Sequence, residues 1–172
     1  MFQGFVEWLE QSPASQFLSD TTGFWTWLII PMSQCVHIIS IGMLLICVGI
    51  LNFRLLGLGS GRRSFAQLAS ALMPWIWTCL IVLFLTGAVQ TVAEPGRELL
   101  NIGFKVKMLL LLTVVAITVF YERSVRNDPQ YWEHSPERRR MGRLLASVSL
   151  ILWVGVAASG RLIAYLDMRH EL

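Results

Sequence analysis

The chain has 172 residues, of which 55% are apolar and 15% charged, which is enough for one compact domain and too apolar for an ordinary soluble one. Its mean hydropathy of +0.58 points to a bilayer. The formal charge of +3 rests on clustered arginine, 12 Arg against 2 Lys; no basic soluble surface interleaved with aromatics accompanies it, which argues against a nucleic-acid partner.

Residues 1 to 24 contain Glu7, Glu10 and Asp20 and no Lys or Arg, so a cleaved secretory signal is not expected. Phe2, Phe5, Val6 and Leu9 follow helical spacing and predict a short amphipathic helix over about 2–20. Lying on the membrane surface and packing against the spans are both open to it, because its polar face carries acids rather than the usual bases.

The first span is predicted over about 24–53. Thr21, Thr22 and Gly23 start it, and Phe24, Trp25 and Trp27 form an aromatic belt, the mark of a membrane boundary. Pro31 removes a backbone donor and predicts a kink ahead of a polar patch. Gly57, Gly59, Ser60 and Gly61 break the chain into a loop. The second span, about 66–93, contains Pro74 with Trp75 and Trp77 just after it and ends at Glu94-Pro95-Gly96, read as a turn. A third is predicted over about 99–121. Polar sequence follows, in which Ser135-Pro136-Glu137 reads as an N-cap, a first-turn proline and an acid, so the last helix begins before its span at about 144–166. Each span exceeds the roughly 20 apolar residues a bilayer requires. The fold class is therefore all-α, an integral membrane four-helix bundle forming one membrane domain over 1–172.

Nine Lys and Arg residues fall after the first and third spans, and five (Arg97, Lys105, Lys107, Arg161, Arg169) on the opposite side. That asymmetry puts the arginine-rich loops in the cytoplasm and both termini outside, in the periplasm for the inner membrane of a Gram-negative bacterium. Cys35, Cys47 and Cys79 lie inside spans and read as small buried side chains rather than a disulfide.

His37 is the only histidine inside a span. Ser33, Gln34 and Ser40 share its helical neighbourhood, and such a patch should face the bundle interior. Two readings are open: a neutral imidazole that ligates a metal or haem iron, or a histidine hydrogen-bonded between helices. Haem needs axial ligands and cations for its propionates. Lys105, Lys107, Arg161 and Arg97 lie on the side that the orientation rule leaves poor in cations, where an anionic group would explain them; snorkelling to the interface is the alternative. A second intramembrane histidine is missing, so Met73, Met108, an open position or another subunit would complete the coordination. Met32, Cys35 and His37 have the softness copper(I) favours, but about 200° separates Cys35 from His37 around a straight helix. Thr86 and Gln90 share a face of the second span, where interhelical hydrogen bonding is expected and a quinone head group could use the same donors. No phosphate loop, nucleophile elbow, paired intramembrane carboxylates or zinc spacing occurs, so autonomous catalysis is not expected.

Pro31-x5-His37-x4-Gly42, LNFRLLGLG from Leu51, LMPWIWT from Leu72, Thr86-Gly87, NIGFKVK from Asn101 and GRLIAY from Gly160 together resemble a family of small bacterial membrane proteins, domain of unknown function 6644. The likeness covers nearly the whole chain and implies no activity. Where the family pattern commonly has Asp, this chain has Asn52, so an Asp–Arg54 ion pair is not carried over. More remotely, a four-helix unit with a histidine in its first span is similar to copper-resistance membrane proteins and small b-type cytochromes, which implies haem or copper. The sequence reading is a subunit that holds haem b through His37, with Ser40, Lys105, Lys107 and Arg161 around the cofactor, and works in electron transfer with membrane or periplasmic redox subunits or as a homo-oligomer. Its rivals are a non-catalytic membrane anchor or assembly subunit and a handler of copper or small solutes.

Overall fold

The computed structural model of the chain describes residues 2–20, 22–58 and 63–167, without the side chains of residues 2, 25, 26 and 161–167. Seven helices occur in it: α1 (Phe2–Glu10), α2 (Pro13–Ser19), α3 (Phe24–Leu56), α4 (Phe65–Ala93), α5 (Pro95–Leu99), α6 (Ile102–Asn127) and α7 (Pro136–Asp167). Four of them, α3, α4, α6 and α7, are long and apolar enough to cross a membrane. The all-α four-helix membrane architecture is thus the one the hydropathy predicts.

The helix ends follow from local chemistry. Gly23 caps α3, and Gly57 ends it in the left-handed region at φ 81°. Leu58 N–H returns to the Phe53 carbonyl and Gly57 N–H to that of Arg54, a Schellman closure that only glycine enters without strain. Ser64 and Gln67 form a reciprocal capping box at the start of α4. Asn101 accepts from Gly103 N–H at 2.8 Å to start α6. The Ser135 hydroxyl accepts from Arg138 N–H at 3.2 Å ahead of Pro136 and Glu137, the cap the sequence predicts.

Three boundaries differ from expectation. The amphipathic segment is two helices rather than one, because Ser12 caps a second start at Pro13 and accepts from Ser15 N–H at 3.2 Å. The turn at Glu94-Pro95-Gly96 opens the short helix α5, since proline is preorganised for a first helical turn. α6 runs on to Asn127, past the apolar run, because its last turns are paid for by packing of Tyr121 and Ser124 in the interior. The loop around Gly59, Ser60 and Gly61 lies outside the described residues.

Around the bundle α3 lies against α4, α6 against α7, and α3 against α7, whereas α4 and α6 meet only sparsely. The ring therefore has a thin seam between α4 and α6. Leu44, Val48, Leu51, Ile76 and Val114 fill its centre. In lipid such packing is driven by van der Waals contact and close approach rather than by water exclusion. A Cβ on Gly155 would stand 3.2 Å from Leu110 Cδ1 of α6, and one on Gly142 3.0 Å from Trp132 Cε3, so glycine lets α7 approach α6 at the first position and the Trp132 ring at the second. Ile38, Ile39, Ile46, Phe84, Leu109, Leu112 and Ile151 point outward, as lipid contact requires.

The two ends of the bundle are built differently. At the N-terminal end α1 packs on α5, and α2 on α3 and α4; Val6 is buried there, while Phe5, Trp8 and Phe17 stay exposed. Glu10 Oε1 accepts from Gly96 N–H at 3.1 Å and ties α1 to α5. The amphipathic segment thus packs on the bundle with one face and leaves aromatics on another. At the arginine-rich end Trp132 is buried and meets Phe65, Phe120, Tyr121 and Tyr131 edge-on, with ring centroids 5.0–6.2 Å apart.

Candidate functional site

His37 stands half-buried on α3 and faces α4. Its Nδ1 is 2.7 Å from Thr86 Oγ1, and Ser33 Oγ, one turn away, donates to the Thr86 carbonyl at 3.3 Å. The Thr86 hydroxyl itself donates to the Val82 carbonyl at 2.8 Å. A hydroxyl has one proton, so with that proton on Val82 the imidazole must donate through Nδ1. Nε2 is then the unprotonated nitrogen with its lone pair available. No described residue hydrogen-bonds it.

Gly87 provides the room for this arrangement. A Cβ there would lie 3.6 Å from His37 Cε1, so the ring rests against α4 where that helix has no side chain. Sequence reasoning finds Thr86-Gly87 as a pair and Thr86 as an interhelical bonding residue; it names Ser33, Ser40, Gln34 or another span as the histidine's partner without choosing. Helical spacing predicts neighbours within a helix, whereas register between helices requires the fold.

The structure brings some expected residues together and not others. Lys107, half-buried near the start of α6, is close enough for its charge to act on His37. Ser40 is half-buried on the histidine's side of α3 but bonds to no described residue. Lys105 points outward. The side chain of Arg161 lies outside the described residues. Arg97 sits on α5 and pairs with Glu94. Met73 is buried 13 positions before Thr86 on α4, which places it about 20 Å along the helix by its rise and removes it as a second ligand to the group His37 would bind. Met32 and Cys35 are exposed, and Cys47 and Cys79 are buried in the core, so Met32, Cys35 and His37 do not converge. Among the described residues no three His, Cys, Asp or Glu side chains form a metal-binding group.

A second polar assembly escaped the sequence reading. Asn52 has no exposed surface; its Nδ2 donates to Ser149 Oγ at 3.1 Å, and its Oδ1 accepts from the Tyr121 hydroxyl at 3.3 Å. It thereby joins α3, α6 and α7. Nearby Trp77 Nε1 donates to Glu122 Oε2 at 2.9 Å. The signal for Asn52 was its amide inside an apolar run; what hid it was the family pattern, which directs attention to a pairing with Arg54.

The family of unknown function DUF6644 matches the chain over residues 5–166. The chain belongs to that family. No curated protein and no solved structure gives a match. Membership in DUF6644 therefore extends over nearly the whole bundle and brings no activity with it. In this DUF6644 chain the groups available for chemistry are an imidazole with one nitrogen anchored and one open, and the half-buried Lys107 near the start of α6. Such a pair can supply one axial ligand and one counter-charge to an anionic cofactor.

Proposed function

We propose that the protein is a membrane subunit that holds a haem b through His37 and passes electrons to a redox partner. The observation that carries this reading is the contact at Nδ1: it lies 2.7 Å from Thr86 Oγ1, whose own proton has the Val82 carbonyl 2.8 Å away, an arrangement in which Thr86 accepts from Nδ1–H and Nε2 is left unprotonated. Histidines that ligate metals are held in this way, by a hydrogen bond from the opposite nitrogen. Bound there, haem supplies a one-electron couple. Thr86 fixes the ring's rotation, Gly87 keeps its edge clear, and Lys107 offers a cation for a propionate. The sparse contact between α4 and α6 is the side from which a flat group would enter. Met108, exposed beside Lys107, an open position or a neighbouring subunit would provide the sixth ligand.

The charge asymmetry supports a bacterial inner-membrane protein with its arginine-rich end in the cytoplasm and both termini outside. His37 then lies toward the outer half of the membrane, and a periplasmic or membrane redox subunit is the partner expected.

The test is a visible absorption spectrum of the purified protein. A Soret band that disappears in His37→Ala supports the proposal. A colourless, folded protein sinks it and leaves the non-catalytic anchor, in which the His37–Thr86 and Ser33–Thr86 bonds serve only to tie α3 to α4.

A further inference from the structure

One turn beyond His37, toward the N-terminal end, a cavity of about 50 Å³ opens between α3, α4 and α5. Ile30, Gln34, Gln90, Glu94, Arg97 and Glu98 are among the residues that line it. Gln34 is three positions from His37, and Gln90 four from Thr86, so the floor of the cavity sits directly above the His37–Thr86 bond. The Gln90 side chain is the unexpected element: its Nε2 is buried and has no hydrogen-bond partner among the described residues. Buried amide donors in proteins are nearly always satisfied, by protein or by ordered water. At the roughly 30 Å³ that a water occupies in the liquid the space holds about one or two of them. Two amides, two carboxylates and a guanidinium give that many waters the two to four polar partners each requires.

The geometry points to a water-filled port: ordered water, satisfied by Gln34, Gln90 and Glu98, that carries the aqueous phase from the N-terminal end of the bundle to within one helical turn of His37. Its ligand class is water, and with it exchangeable protons. The mouth is charged, by the Arg97–Glu94 pair and Glu98, and the innermost lining, Gln34 and Gln90, lies one turn from His37 and Thr86. Water and its exchangeable protons therefore reach the level of Gln34 and Gln90, one turn short of the histidine, without crossing lipid. Apolar packing of α3 and α4 continues deeper through Leu44, Cys47 and Cys79, so the port ends one turn short of His37 and does not traverse the membrane. The inference stands apart from haem binding, because it concerns the cavity at Gln34 and Gln90 and needs no cofactor.

Radiolytic hydroxyl-radical footprinting tests it on the full chain in lipid nanodiscs, since waters held against a side chain generate the radical that modifies it. Ile38 and Ile39, which face lipid on the same helix, are the dry controls, and Ile29 reports wetting at the depth of Ile30. Ile30 is expected to be oxidised well above Ile38 and Ile39, and to fall severalfold in Gln90→Leu while Ile29 stays unchanged. Ala93→Val, which fills the cavity wall from α4, should give the same loss and serves where the Gln90 variant does not fold. Ile30 oxidation equal to that of Ile38 and Ile39, or unaltered by the cavity variants, overturns the port. The absorption spectrum of the same sample reports haem independently, so a dry cavity in a red protein and a wet one in a colourless protein are separate results.

Discussion

The bundle has two polar assemblies, and they obey different rules. At the arginine-rich half, Asn52, Ser149 and Tyr121 are buried almost completely, and each side chain spends its hydrogen bonds on another. At the other half, His37, Thr86, Lys107 and Gln90 are only half-buried, and among the described residues one imidazole nitrogen and one amide nitrogen have no partner. A closed network holds helices together; an open one has capacity left for something else. The difference is between polar groups that satisfy one another and polar groups with hydrogen-bonding capacity left over inside one apolar domain.

The comparison breaks first at Asn52. Asn52→Ala removes the central member of the closed network and leaves the Tyr121 hydroxyl unpaired where water cannot reach it. Such orphaned groups cost about 1–3 kcal/mol each, so a loss of about 2–3 kcal/mol is expected in reversible unfolding from mixed micelles. A change within a few tenths of a kcal/mol would show that this network is no more structural than the other.

Thr86→Val sharpens the opposite side. Interhelical hydrogen bonds in membranes average about 0.6 kcal/mol and reach about 1.7, so stability should fall by about 1 kcal/mol, less than for Asn52→Ala. Its effect on the open site should be larger than its effect on the fold. With Nδ1 no longer held, a haem ligated by His37 should be retained about 10–100-fold less well, measured by Soret absorbance during dilution. Equal losses of stability and haem, scaling together across variants, would mean that the two assemblies do not differ in kind.

Gly87 gives a graded version of the same contrast. A methyl at the Cβ position would meet His37 Cε1 at 3.6 Å, an ordinary contact, so Gly87→Ala should leave the imidazole in place. Gly87→Leu must push the ring away from α4. The His37 imidazole resonances should be near-native in the first variant and displaced in the second, with helix content unchanged in both. Displacement in both would mean that the ring is held more tightly than its surroundings imply.

Both assemblies tested the sequence in instructive ways. The four spans, the Ser135-Pro136-Glu137 start and the role of Gly57 were legible because each depends on residues within a few positions along the chain. His37 was legible as an exception, a single imidazole in an apolar span. Its partner was not, because the meeting of α3 with α4 at Thr86 depends on how two helices slide against each other, and lipid-facing sequence fixes that only weakly. Asn52 was missed for the same reason at longer range: its partners are 69 and 97 positions away. The break at Ser12-Pro13 was legible in principle, since serine before proline is a helix start, and the amphipathic pattern across it obscured the signal.

The smallest expected effect lies outside both assemblies, at the turn that leads into α3, and it tests whether the open half responds to its aqueous border. Asp20 Oδ1 accepts from the Thr22 hydroxyl at 2.6 Å and from Thr22 N–H at 2.9 Å. These bonds favour the charged carboxylate and hold its pKa below the ordinary 3.8, the hydroxyl contributing more than the backbone. A lowered folded-state value means that the contribution to stability is fully present above pH 3.8 and is lost as pH falls through the lower, folded value. At neutral pH the turn is therefore intact, and acidification should release the Thr22 amide before any helix melts, seen as faster hydrogen exchange at that amide alone. Asp20→Asn keeps an acceptor oxygen and removes the titration, so Thr22 exchange in that variant should show only the intrinsic pH dependence of amide chemistry. If acid instead loosened Thr22 and the His37 region together, the turn, the port and the open site would form one cooperative unit, and the distinction between the two halves of the bundle would extend to its aqueous edge.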